Sequence, residues 1–137
     1  MSSLLDSSLL SQPIKPQPNP AAMIWWHKQD AASLWISAVT IQEIRYGIEL
    51  TPQGPRKQVL EYWLAHSVLT RFRGRILPVD QAVADLSGRL LALAKKAGHT
   101  AEVADSLIGA TAKVHGCEVA TLNRKHFEKL GVELVDF

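Results

Sequence analysis

Short apolar segments alternate along this chain with longer helical stretches, and that alternation limits what it can fold into. Ser3-Leu4-Leu5-Asp6, Leu34-Trp35-Ile36-Ser37, Arg75-Ile76-Leu77-Pro78-Val79, Glu118-Val119-Ala120-Thr121 and Glu133-Leu134-Val135 read as strands. They are apolar runs rather than apolar–polar alternations, the pattern of strands covered on both faces. Between them, Asn19 caps and Pro20 opens a helix to about Lys28. Ile41, Ile44 and Ile48 form one stripe on a helix from about Thr40 to Leu50. Val59, Leu60, Trp63 and Leu64 give helical periodicity from about Arg56 to Thr70. Asp80 suits the N-cap of a helix running to about Ala97, with Gly98 at its end. A last helix, about Ala101 to His115, ends at Gly116. Ser11 to Pro20 carries Pro13, Pro16, Pro18 and Pro20 and reads as an extended connection. Strands spaced by helices of this kind argue for βαβ units: an α/β/α sandwich with a mostly parallel central sheet. The 137 residues fit one domain, 1–137.

Composition narrows the class further. The single cysteine, Cys117, excludes an internal disulfide and a cysteine-based zinc cage. No apolar run approaches the roughly 20 residues of a membrane helix. The N-terminus lacks the basic region and long apolar core of a secretory signal. These features predict a soluble cytoplasmic protein. A net charge of +2 is too mild to announce a nucleic-acid binder by itself. His27, His66, His99, His115 and His126 are scattered, with no metal-ligand spacing and no serine–histidine pair suggesting a nucleophile.

In an open parallel sheet, functional residues gather at the carboxyl ends of strands. Asp6 stands at such an end. Glu43 lies early in the helix after the second strand, Asp105 early in the helix before the Glu118 strand, and Asn123 just after that strand. Each also has an ordinary reading. Asp6 would cap a helix, Glu43 would sit on a solvated face, and Asp80 ends a strand only to cap the next helix. Asp105 fits least well as a surface acid, because its segment, Ala101 to Ala110, is otherwise that of a packed helix. Carboxylates brought together would repel unless a divalent cation neutralised them.

Leu4-Leu5-Asp6-Ser7-Ser8, Ile41-Gln42-Glu43-Ile44, Ala104 to Ala112 and Thr121-Leu122-Asn123 occur in the order and spacing of a PIN domain. Across essentially its whole length the chain resembles the VapC-like toxins of bacterial toxin–antitoxin pairs, especially the FitB-type subgroup. The resemblance implies that Asp6, Glu43 and Asp105 are the metal-site acids, with Ser7 and Asn123 supporting them. An all-oxygen site of that kind selects Mg²⁺ or Mn²⁺ over zinc. The implied activity is metal-dependent hydrolysis of RNA, and the implied partners are a cognate antitoxin and a second copy of the chain. Basic residues should rim such a site, and Arg45, Arg124 and Lys125 are the candidates for holding substrate. Arg71, Arg73 and Arg75 form a third basic cluster that reads equally as a solvated connection. The chain departs from the family at two places. The usual Asp-Thr-Asn is Asp6-Ser7-Ser8 here, and the fourth acidic position is Asn123. These departures keep open a second reading, a catalytically weak or inactive module that pairs with an antitoxin. Ser8 also argues against a haloacid-dehalogenase-type phosphatase, which needs an acid at that position. The four tryptophans, Trp25, Trp26, Trp35 and Trp63, read first as core packing, but Trp25 and Trp26 are adjacent on a helix and cannot face the same way, which leaves at least one of them to meet a partner.

Overall fold

Leu4 and Leu5 are neighbours in sequence and both are fully buried, but in different layers. Successive side chains of a strand point to opposite faces, so this strand is covered on both sides. The computed structural model describes all residues, 1–137. Its sheet comprises β1 (Ser3–Leu5), β2 (Leu34–Ser37), β3 (Ile76–Leu77) and β4 (Glu118–Ala120), all parallel, in the order β3-β2-β1-β4. Leu4 pairs with Trp35 on one side and with Val119 on the other. The chain builds outward from β1 in one direction through β2 and β3, then returns to place β4 on the opposite side. The crevice at the carboxyl ends of β1 and β4 is therefore the topological switch point, where ligand sites of open α/β sheets lie.

One layer packs α1 (Ser7–Leu10), α2 (Pro20–His27) and the Trp63–Phe72 region around Leu5, Leu9, Trp26, Ile36, Trp63 and Phe72. The other packs α6 (Gln81–Lys96), α7 (Val103–His115) and α8 (Arg124–Glu128) around Leu4, Val83, Leu90, Ile108, Val119 and Phe127. Between them, α3 (Ala38–Leu50) starts against the second layer through Val39 and continues in the first through Ile44 and Ile48. Gly109 allows close packing in the second layer, since a Cβ there would stand 3.0 Å from Val132 Cγ1. Trp26 is buried, whereas Trp25 packs edge-on against Phe137, with ring centroids 5.4 Å apart. Trp25 is therefore met from within the chain.

The expected elements are present, with four local differences. The proline-rich connection is not wholly extended, because Gln12–Ile14 forms a 3-10 turn. Pro13 occupies its opening, where a missing N–H costs nothing. The Arg56–Thr70 helix is α4 (Pro55–Tyr62), a π-helical segment (Trp63–Val68) and α5 (Leu69–Arg71), and the wider turn accompanies burial of Trp63, Leu64 and Val68. The Arg75–Val79 strand shrinks to Ile76–Leu77, since Pro78 has no N–H to donate. Glu133–Val135 is not a full strand either. It makes one parallel bridge, Val119 to Leu134, through two 2.9 Å backbone hydrogen bonds.

Asp80 caps α6 as its sequence suggests, its Oδ1 accepting from Val83 N at 3.0 Å. Asp80→Ala should therefore cost about 1 kcal/mol, lowering the melting midpoint by roughly 3–5 °C for a chain of this size. Asp80→Asn should keep most of that stability. Thermal unfolding of both variants checks the assignment.

Candidate functional site

Asp6 follows β1 directly and is only 4% exposed. Its Oδ1 accepts from the Leu9 amide at 3.1 Å and from Ser8 Oγ at 2.7 Å. Its Oδ2 accepts from Thr121 Oγ1 at 2.5 Å. The cap reading and the site reading of Asp6 thus coexist. Ser8 Oγ also accepts from Leu122 N at 3.0 Å, and Thr121 Oγ1 from Asn123 N at 2.9 Å. Two hydroxyls therefore clasp the ends of β1 and β4 around one carboxylate. Ser8, shorter than the amide usual in the family, still orders Asp6. Burial raises the Asp6 pKa above the ordinary carboxylate range, and the hydrogen bonds oppose it only in part.

Glu43, in the second turn of α3, accepts from Ser7 Oγ at 3.3 Å. Its pKa is raised by burial first and then by the charges of Asp105 and Asp6. Asp105 stands in the first turn of α7 and is buried. Burial is the main cause of its raised pKa, with Glu102 and Asp6 adding to the rise and His126 and Lys129 opposing it. His126 Nδ1 lies 3.3 Å from Asp105 Oδ2, within ion-pair distance but out of hydrogen-bond alignment. Oδ2 is thus a buried carboxylate oxygen without a donor. The three acids named from the sequence are within mutual electrostatic reach.

No three Asp, Glu, His or Cys side chains close into a ready-made metal cage. A hard ion such as Mg²⁺ does not require one, because it keeps several waters and takes one or two carboxylates. The donors are all oxygen, each acid is destabilised in its ionised form, and Asp105 Oδ2 lacks a hydrogen-bond donor. These residues fit a hard divalent cation.

Two of the three basic residues named from the sequence make contacts within the chain. Arg45 Nη1 donates to both oxygens of Glu61, at 3.0 and 2.9 Å. Arg124 donates to Val135 O at 2.6 Å and lies 3.7 Å from Glu128. Arg75 donates to the carbonyls of Ala31, Leu34 and Arg71, so it serves the fold. Lys125 is exposed and lines a small recess with His99, Glu128 and Lys129. Beside the acids opens a groove of about 430 Å³ whose lining includes Ser7, Ser8, Glu43 and Asn123, and also Lys15 and Arg56. Asn123 is exposed there, and its side chain caps nothing. Lys15, Arg56 and His126 were not among the residues singled out from sequence. Gly47 lines the same groove, and a Cβ on it would meet nothing within 4 Å. A glycine inside a helix costs roughly 0.5–1 kcal/mol relative to alanine, and no neighbouring atom requires it here. Its spacing from Glu43, four residues along α3, is the one sequence signal that places it on this face.

The family model for the PIN domain matches residues 3–133. This chain belongs to the PIN domain family. It is 39% identical over 124 residues to toxin FitB of Neisseria gonorrhoeae, covering 90% of this chain and 89% of that protein. VapC ribonuclease Y4jK of Sinorhizobium fredii is 34% identical over 133 residues, covering 97% and 95%. The structure of FitAB bound to an IR36 DNA fragment superposes with a TM-score of 0.90 at 36% identity, covering 97% of this chain and 93% of that one. The resemblance read from four short segments is thus the family to which the PIN fold and the VapC and FitB toxins point.

The raised carboxyl pKa values in this PIN domain carry a sign for stability. A native carboxyl with a raised pKa holds a proton that the unfolded chain has released, so stability falls as pH rises through that window. For the metal-free protein the fall begins near the ordinary values of 3.8 for Asp and 4.5 for Glu. Asp105→Asn should melt higher than the parent at neutral pH, with a flatter dependence of melting midpoint on pH. Melting in EDTA across pH 4.5 to 7.5 measures both.

Proposed function

We propose that this chain is a Mg²⁺- or Mn²⁺-dependent ribonuclease that cuts RNA internally and acts as the toxin of a toxin–antitoxin pair. The observation that carries the reading is the group of three destabilised carboxylates, with Asp105 Oδ2 buried and without a hydrogen-bond donor. Asp6 and Asp105 are the main ligands, and Glu43 is a further ligand or the group that positions water. A divalent ion held there supplies charge neutralisation for the scissile phosphate and a more acidic water.

The chain's own residues do the positioning. The Asp6 carboxylate is fixed by three donors and cannot turn away from the crevice. Glu43 is tied to Ser7, and its raised pKa suits a carboxylate that takes a proton from water. Lys125, His126 and Lys129 lie on the Asp105 side and favour approach of a polyanion. Arg45 and Arg124 are committed to contacts within the chain and act on substrate only through their field. Asn123 is a neutral neighbour at the edge of the groove.

No helix is long and apolar enough to cross a membrane. A cytoplasmic homodimer silenced by a cognate antitoxin is the assembly this reading implies. The inactive-module alternative rested on Ser8 and Asn123, and the Ser8 hydrogen bond to Asp6 favours the enzyme.

The test is cleavage of single-stranded RNA by purified, antitoxin-free protein with Mn²⁺ or with EDTA. Cleavage should require the metal and fall at least about 100-fold, near 2.7 kcal/mol of barrier, in Asp6→Asn and Asp105→Asn. Mn²⁺ at a hundredfold excess over its Kd should stabilise the parent by about 2.7 kcal/mol, and Asp6→Ala should abolish that gain. Stabilisation by Mn²⁺ with no cleavage of any RNA would make the chain the inactive module.

A further inference from the structure

The groove beside Glu43 is more than an extension of the acid site. Its lining includes Ser7, Glu43 and Asn123, and also the cations Lys15 and Arg56. Among the cations around α3 and α4, Arg45 is consumed by Glu61 and Lys57 by Glu49, while Lys15 and Arg56 take part in none of the chain's ion pairs. Both are exposed. Its apolar lining includes Ile44, Leu60 and Trp63. Gly47 leaves α3 bare at the same place, with no atom within 4 Å of where a side chain would begin. The volume, about 430 Å³, lies within the usual range of small-ligand sites, roughly 300–1,000 Å³.

An occupant matching these features carries negative charge at regular intervals and a flat, partly apolar unit between the charges. Single-stranded RNA has this chemistry, because its unpaired bases are free to lie against a protein wall while cations follow the phosphates. A peptide would match the apolar wall but would leave two cations without partners unless it were acidic. We propose that this groove seats one unpaired nucleotide adjacent to the cut bond. Lys15 and Arg56 hold its backbone phosphate, Ile44, Leu60 and Trp63 line its base, and Gly47 keeps the space open. The proposal rests on the ribonuclease reading and adds to it the residues that position the strand.

The experiment pairs two readouts on one fluorescein-labelled 12-nucleotide single-stranded RNA: anisotropy in EDTA, and cleavage with Mn²⁺. The double substitution Lys15→Gln, Arg56→Gln should weaken binding about tenfold and flatten the salt dependence of log Kd by about 0.7 for each phosphate no longer neutralised. In cleavage the loss should fall on KM rather than kcat. Gly47→Leu should also weaken binding about tenfold while melting no lower than the parent, which separates blocked space from misfolding. Arg89→Gln removes a cation from α6 that pairs with Asp85, and it should bind as the parent does. A parent that cleaves, with Gly47→Leu and the double variant binding and cleaving equally well, would overturn the nucleotide seat and leave the ribonuclease standing. Variants that cleave normally but escape the cognate antitoxin would assign the groove to that protein and overturn the seat as well. A parent that cuts no RNA with Mn²⁺ would instead remove the ribonuclease reading, and the seat with it.

Discussion

The Asp6 carboxylate, gripped by Ser8, Thr121 and the Leu9 amide, joins the ends of the two strands between which the chain reverses its direction of growth. The rest of the site is placed relative to it. β1 supplies Asp6, the helix after β2 supplies Glu43, and the helix before β4 supplies Asp105. A sheet whose central strand is buried on both faces has few places for a carboxylate, and the carboxyl-end crevice is one where backbone amides and hydroxyls already point outward.

Grouping three acids there works against stability. Burial makes each carboxylate harder to ionise, neighbouring acids add to that at Glu43 and Asp105, and one oxygen of Asp105 is left without a hydrogen-bond donor. A buried group left unsatisfied costs about 1–3 kcal/mol, more when it is charged. The hydroxyl clasp, the Ser7 contact to Glu43 and the nearby His126 and Lys129 offset part of that cost. Such a locally unfavourable arrangement is what a site for a positively charged ligand requires, since binding relieves the repulsion.

The basic residues show that neighbours in sequence do not share contacts. Arg45 lies two residues from Glu43, but residues i and i+2 on a helix face different sides. Arg45 therefore turns to Glu61, and Gly47, one further turn along from Glu43, lies in the groove. Arg124 adjoins Asn123 in sequence, yet its guanidinium reaches back to the carbonyl of Val135 and helps fasten the C-terminal segment. The cations that do line the groove, Lys15 and Arg56, come from the proline-rich connection and from the start of α4. Nothing local in either segment marks them as neighbours of an acid.

Much of this protein is determined by local chemistry. Apolar runs too short for helices, a 3.6-residue stripe along α3, and caps at Asn19, Asp80 and Gly116 specify the alternating elements, because each depends on residues within a few positions of itself. The same alternation places Asp6, Glu43 and Asp105 near strand ends, as it does Asp80, and the resemblance to the PIN domain is what sets the three apart in the sequence. The length of the edge strands is not legible there, because a strand lasts only while its neighbour offers a partner, and Leu134 finds one for a single bridge. Nor is the second role of Ser8, whose hydroxyl meets Leu122 more than a hundred residues away. His126 at Asp105, the groove cations and the bare face of α3 belong to the same group. They depend on contacts between segments far apart in the chain, and only packing against the shared sheet brings those segments together.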